Sequence, residues 1–282
     1  MVEHRPLSQL AAHLILIAGV ALVLFPVYIA LVASTQAPGE FLRGTLPLMP
    51  GGHALENYRA MWESGLSRAG APPVGQMLFN SLVMALAITV GKLVISLLSA
   101  FAIVYFRFPF RLLFFWLIFV TLMLPVEVRI IPTFQVVADL GMLNSFAGLS
   151  IPLIASATAT FLFRQFFMTV PEELLEAARV DGAGPFRFFR DILLPLSITN
   201  IAALFVILFI YGWNQYLWPL LITTDSDYYT VVMGIQRMTT AADGDPQWHL
   251  VMAAVVMAAL PPVLVILFMQ RLFVKVLTET EK

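Results

Sequence analysis

Apolar residues in this chain come in blocks long enough to cross a bilayer, and short polar or charged interruptions separate the blocks. A helix of about 20 apolar residues spans a hydrocarbon core. Six blocks qualify: about Ala11–Ser34; about Met77–Phe106; a block that starts near Arg111 and bends at Pro125; about Phe146–Met168; about Ile198–Thr223; and about Leu250–Phe273, with Pro261 and Pro262 near its middle. The first is longer than the apolar region of a cleavable signal, and no Ala-x-Ala-like site closes it, so a retained helix is expected. The longest interruption, Gln36 to Gln76, is broken by Pro and Gly and holds one helix-like piece, HALENYRAMWESG; it is too small for an enzyme domain. No internal repeat, low-complexity tract or interdomain linker is visible. The pattern predicts an all-α membrane protein of six transmembrane helices, one domain over residues 1–282 with its core at about 77–275.

Composition agrees: 60% of the 282 residues are hydrophobic and 12% charged, against roughly half and a quarter in soluble domains. A net charge of −1 gives no basic surplus for nucleic acid, and the absence of cysteine excludes disulfides, thiolate metal sites and a cysteine nucleophile. Eighteen prolines and sixteen glycines suggest kinked or broken helices, which a lipid-embedded bundle tolerates. Lys and Arg set the orientation. One set of block ends carries ten of them (Arg5, Arg107, Arg111, Arg164, Arg179, Arg187, Arg190, Arg271, Lys275, Lys282); the opposite set carries five (Arg43, Arg59, Arg68, Arg129, Arg237). Both termini and the segment 171–195 are therefore expected on the cytoplasmic side of a bacterial inner membrane.

Catalytic signatures are missing. There is no His-Glu-x-x-His and no phosphate-binding Gly-x-x-x-x-Gly-Lys-[Ser/Thr] loop, and none of His4, His13, His53 and His249 lies deep in an apolar block beside a serine. Energy from ATP would have to come from a partner. A stand-alone carrier or channel would be expected to show repeats or a chain of buried acids, and neither is visible.

The run EAARVDGAGPFRFFRDILLP, residues 176–195, breaks the apolar pattern. Pro171 suits a first helical position, and Glu172 and Glu173 suit the first turn, where the helix dipole favours anions. Glu172, Glu176 and Arg179 fall on one face; Leu174, Leu175 and Ala178 supply an apolar side. Gly182 fits a left-handed C-terminal cap. Pro185 then opens a second short helix with an apolar stripe of Phe186, Phe189 and Leu193, joined by Phe188 and Ile192; Arg187, Arg190 and Asp191 take the other face, and Pro195 is expected to end it. From composition alone an interfacial amphipathic loop explains the segment equally well.

The spacing adds to this. Glu176-Ala177-Ala178, three residues, Gly182, nine residues, then Ile192-x-Leu194-Pro195 resembles the EAA loop of ABC-importer permeases. The stretches FRFPFRLLFFWLIFVTLMLPVEVRIIPTF, ASATATFLFRQFFMTVPEELLEAARVDGA and IYGWNQYLWPLLITTD extend the likeness to the shorter, MalG-type permease subunits of sugar importers, above all those of glycerol-3-phosphate importers. The resemblance implies a type I ABC-importer permease fold and a transporter subunit, not an enzyme. It implies that the 171–195 loop docks in a cleft of a cytoplasmic ATPase, with Glu176 pairing a basic residue there, Gly182 making the turn and the helix from Pro185, with Phe186 and Arg187, acting as a lever. The implied partners are a homologous permease chain in a heterodimer, two ATPase subunits carrying the ATP and magnesium, an extracytoplasmic binding protein and the lipid bilayer. No cofactor or metal on this chain is implied. The implied cargo is sn-glycerol-3-phosphate or a related glycerophosphodiester, with a neutral sugar as the alternative.

Ionisable and polar groups inside the blocks are the substrate-pathway candidates. Lys92 lies well inside the second block with Ser96 and Ser99 below it, and either meets an anionic cargo, pairs an acid of the partner subunit, or reaches water. Glu127 and Arg129 follow Pro125 and either face an outer vestibule or pair as ions. Trp213, Asn214 and Gln215 interrupt the fifth block; their amides suit a hydroxyl-bearing cargo or interhelical hydrogen bonds. Tyr216, Trp218, Tyr228 and Tyr229 fit an interfacial aromatic belt.

Overall fold

The computed structural model describes residues 6–40, 47–66, 70–121, 126–240 and 247–279; the side chains of 6–8, 126–127 and 271–279 lie outside that description. Pro125, Arg5, Arg43, Arg68 and Lys282 therefore fall outside it altogether. The described residues are helical, joined by turns, with one isolated two-residue bridge between Leu66 and Ala71. They form two compact units, Met1–Gly75 with Gly234–Ala259, and Gln76–Met233 with Leu260–Lys282.

In the first unit, α1 (Pro6–Ala33) is apolar on every side, and Leu14, Ile15, Leu22 and Val23 are all more than half exposed. A helix of that kind faces lipid. Where it ends, the freed backbone finds buried partners. Asn57, on α2 (Ala54–Glu63), donates to the carbonyls of Ser34 and Gln36 at 2.9 Å each, and the Gln36 amide donates to Met49 O at 2.8 Å. These side chains satisfy a helix terminus that water does not reach.

The second unit is built on α3 (Val74–Tyr105), a continuous helix of 32 residues. The block near Arg111 divides into α4 (Arg111–Val120) and α5 (Val126–Asp139). The next is a broken span: α6 (Phe146–Ser150) and a 3-10 turn at Ile151–Leu153, then α7 (Ala157–Phe167) after a 49° bend. Ser156 caps α7 by accepting from Ala159 N. After α8 (Glu172–Val180) come α9 (Pro185–Phe188), a π-turn at Phe189–Leu193 and α10 (Leu194–Leu196). The chain bends by 72° into α11 (Ile198–Trp213), and α12 (Leu217–Ile222) follows. The remaining helices, α13 (Val231–Thr240) and α14 (Trp248–Glu279), each contribute to both units.

The all-α expectation holds, but six unbroken spans are not seen among the described residues. Three helices are long and apolar enough alone, two bent pairs pass together, and α4 has ten residues. Ten residues rise about 15 Å, roughly half a hydrocarbon core. Pro195 does not end its helix; it lies inside α10 and the turn comes at Ser197, whose hydroxyl donates to Leu193 O at 2.6 Å. A proline normally clashes with the carbonyl four residues earlier. The wider π-turn just before it removes that clash.

Gly148 illustrates how closely the second unit is packed. Its N–H donates to Ser145 Oγ, its carbonyl accepts from Trp218 Nε1 at 3.0 Å, and a Cβ there would overlap the Met142 carbonyl. Gly148→Ala should cost about 1–3 kcal/mol of stability, as overpacking does. A lowered thermal midpoint of the detergent-solubilised protein checks it; an unchanged midpoint would mean that the Met142 turn yields freely.

Candidate functional site

The segment 171–195 folds as an elbow. α8 closes with a Schellman motif: Ala183 N donates to Ala178 O at 2.8 Å, Gly182 N donates to Arg179 O at 3.0 Å, and Gly182 has φ +69°. That left-handed conformation is open to glycine without a Cβ penalty. The short arms then pack inward. Ala178, Phe188, Phe189 and Leu193 join one buried cluster with Leu97 and Phe101 of α3, Phe163 and Phe167 of α7, and Leu204 and Leu208 of α11. Leu175, Ile192 and Leu194 pack against its rim. Ring centroids lie 4.8 Å apart for Phe101–Phe189 and 5.2 Å for Tyr105–Phe188.

The apolar faces expected of the two helices are corrected at one residue each. Phe186 is 72% exposed, because the buried arc is centred on Phe188, Phe189 and Leu193 and Phe186 lies beyond its edge. Leu174 is also exposed, while Leu175 and Ala178 turn inward. The outward side thus shows Phe186, Val180 (88% exposed), Glu176, Ala177, Arg187 and Pro195. Arg190 donates to Asp191 at 2.6 and 3.0 Å, and Arg187 lies 3.6 Å from the same carboxylate. The hydrogen bond from Arg190 is the main reason that Asp191 stays below the usual carboxylate range. Being exposed, this pairing orders the surface more than it stabilises it.

Beside the elbow lies a cavity of about 510 Å³. Arg107, Arg111, Arg179, Glu172 and Glu176 line it, over a floor that includes Tyr105 and Phe167. Glu176 makes no hydrogen bond or ion pair with any described residue. The sequence placed Arg107 and Arg111 on the same membrane side as the elbow, but gave no signal that the three arginines share one cavity.

A second cavity, of about 330 Å³, opens where α5, the 3-10 turn at 151–153, the end of α11 and the start of α12 meet. It brings together three expected residues, Arg129, Asn214 and Gln215, and adds two that sequence reasoning missed, Thr133 and Tyr211. Lys92 is only 7% exposed and does not line this cavity, but its Nζ sits 3.8 Å from the centroid of the Tyr211 ring, which does. The other expectations resolve differently. Trp213 is buried and stacks on Phe209 at 5.8 Å, packed in the bundle and absent from the cavity lining. Ser96 is buried and donates to Ser156 O at 3.2 Å, which ties α3 to the break before α7. Glu127 belongs to α5, but its side chain lies outside the described residues. Trp218 and Tyr229 are buried, so they are packing residues and do not form an exposed belt.

Residues 92–278, which include both the elbow and Lys92, match the family described as "Binding-protein-dependent transport system inner membrane component". Over all 282 residues, and covering the whole of both chains, the sequence is 58% identical to the sn-glycerol-3-phosphate transport system permease protein UgpE of Brucella melitensis. Identity to the proteins of the same name is 57% for Agrobacterium fabrum and 58% for Escherichia coli O1:K1, again over the full length of both chains. The fold is similar to that in the crystal structure of a bacterial ABC transporter involved in the import of the acidic polysaccharide alginate. The TM-score is 0.80, over 96% of this chain and 98% of that one, at 19% identity.

At Gly182 a Cβ would meet nothing within 4 Å, so the constraint there is backbone conformation alone. Gly182→Val should cost about 1–2 kcal/mol, the penalty of the left-handed region, whereas Gly182→Asn should be nearly neutral. Faster amide hydrogen exchange over 172–193 in the valine variant only is the expected readout. Equal exchange in both variants would remove the capping argument.

Proposed function

The chain belongs to the family of binding-protein-dependent transport-system inner-membrane components, and on that premise we propose that this permease moves sn-glycerol-3-phosphate across the membrane by ATP-driven alternating access. The cargo is supported by full-length identity of 57–58% to permeases named for that substrate. In this reading a homologous permease chain completes the pathway as a heterodimer and a binding protein delivers cargo from outside. Two ATPase subunits hold the nucleotide and magnesium, so this chain carries no cofactor. Both termini and the elbow face the cytoplasm.

One observation carries the coupling mechanism: the inner side of the elbow and three membrane helices share a single hydrophobic cluster. A close-packed interior transmits displacement instead of absorbing it. If an ATPase grips the exposed side through Phe186, Val180 and Glu176, motion of the ATPase pair must move Phe188, Phe189 and Leu193, and with them the ends of α3, α7 and α11. Glu176, unpaired among the described residues, is free to take a cation from the ATPase. Ala177 and Ala178 keep α8 thin enough for one side to face the partner while the other meets the bundle. This meets the requirement of allostery that two sites bias one two-state element.

The reconstituted complex with its binding protein provides the test. Its ATPase activity should rise with glycerol-3-phosphate and not with maltose; stimulation by the neutral sugar would overturn the cargo. Glu176→Lys should abolish import by reversing one contact charge, while the chain still inserts. Import at the wild-type rate in that variant would reject the docking role.

A further inference from the structure

Lys92 is a buried ammonium with no counter-ion among the described residues. It makes no hydrogen bond or ion pair with any described residue, and its one described partner is the face of Tyr211, at 3.8 Å. Arg129 stands on the wall of the cavity that the Tyr211 ring also lines. No described carboxylate lies within ion-pair distance of either. A buried ammonium that no described acid neutralises is costly inside a membrane bundle, and a second cation, Arg129, stands exposed on the cavity wall nearby. The arrangement makes physical sense once an anion enters between them.

Resting on the glycerol-3-phosphate reading above, we infer that Lys92 and Arg129 together form a two-cation site selective for a phosphate monoester, with Tyr211 holding the ammonium of Lys92 until the anion arrives. The charge matches. A phosphate monoester carries about −1.5 to −2 at neutral pH, whereas a phosphodiester carries one negative charge. Arg129 presents a planar fork of donors to phosphate oxygens, and Lys92 a compact point charge. The ring of Tyr211 stands in for the missing anion, because its negative face attracts the ammonium. Thr133 and Asn214 on the same wall supply neutral hydrogen-bonding groups of the kind that the glycerol hydroxyls require.

The test compares initial uptake of glycerol-3-phosphate with that of glycerophosphocholine in proteoliposomes holding the whole complex. One binding protein serves every arm, so a changed ratio reports on the permease. Lys92→Met and Arg129→Gln should each lower the monoester-to-diester ratio by about tenfold, the order expected for losing one charge contact in a partly dry site. Lys92→Arg should restore most of it. An unchanged ratio in Lys92→Met overturns the two-cation site, and so does a Lys92→Arg variant that loses the ratio as fully as the methionine does. If the wild-type complex imports neither ester, the proposed cargo fails instead, and the site assigned to it goes with it.

Discussion

In lipid, each backbone N–H and C=O must find its partner within the protein. A chain that breaks its membrane helices must therefore supply a substitute at every break, and the second unit does so with side chains. Ser156 caps α7 and its carbonyl accepts from Ser96; Ser197 donates back to Leu193; the Gln215 amide donates to Tyr211 O; Trp218 donates to Gly148 O. The breaks are also where the chemistry gathers. The 151–153 turn and the 214–216 stretch line the cavity that holds Arg129, and the Ser197 corner joins the elbow to α11.

The two sites divide the physical work between burial and charge. In the elbow, a root of Phe188, Phe189 and Leu193 fixes position, and the outward residues Phe186, Val180 and Glu176 are exposed, Glu176 with no partner among the described residues. In the cavity, helix packing sets the walls, and Arg129, Thr133 and Asn214 line them with polar groups. Both places are locally incomplete, as expected of a subunit whose partners and cargo finish its contacts.

Much of this was legible in residue order. The apolar blocks gave the all-helical class, and the Glu176–Pro195 spacing marked the elbow before any geometry. What was not legible depends on registry that a helical wheel cannot carry. The wheel put Phe186 on the buried stripe, but the chain enters its helix only at Pro185 and widens at Phe189–Leu193, so the buried arc lies elsewhere. Trp213 and Asn214 are adjacent in sequence, yet one stacks on Phe209 and the other reaches the cavity, because α11 ends between them. Tyr211 carried no sequence signal at all. Its role emerges only because Lys92, more than a hundred residues away, lies on its face.

The length of α3 has a consequence of its own. Thirty-two residues rise about 48 Å, while the hydrocarbon core is about 30 Å thick. A usual tilt of about 20° absorbs only some 2 Å of that surplus. The helix must stand proud of the hydrocarbon, and its Phe101–Tyr105 end is the one on which the elbow rests. This helix therefore works as a stanchion. It carries the elbow, with Glu176, Arg179 and Arg187 exposed, at one end of a rod longer than the hydrocarbon is thick.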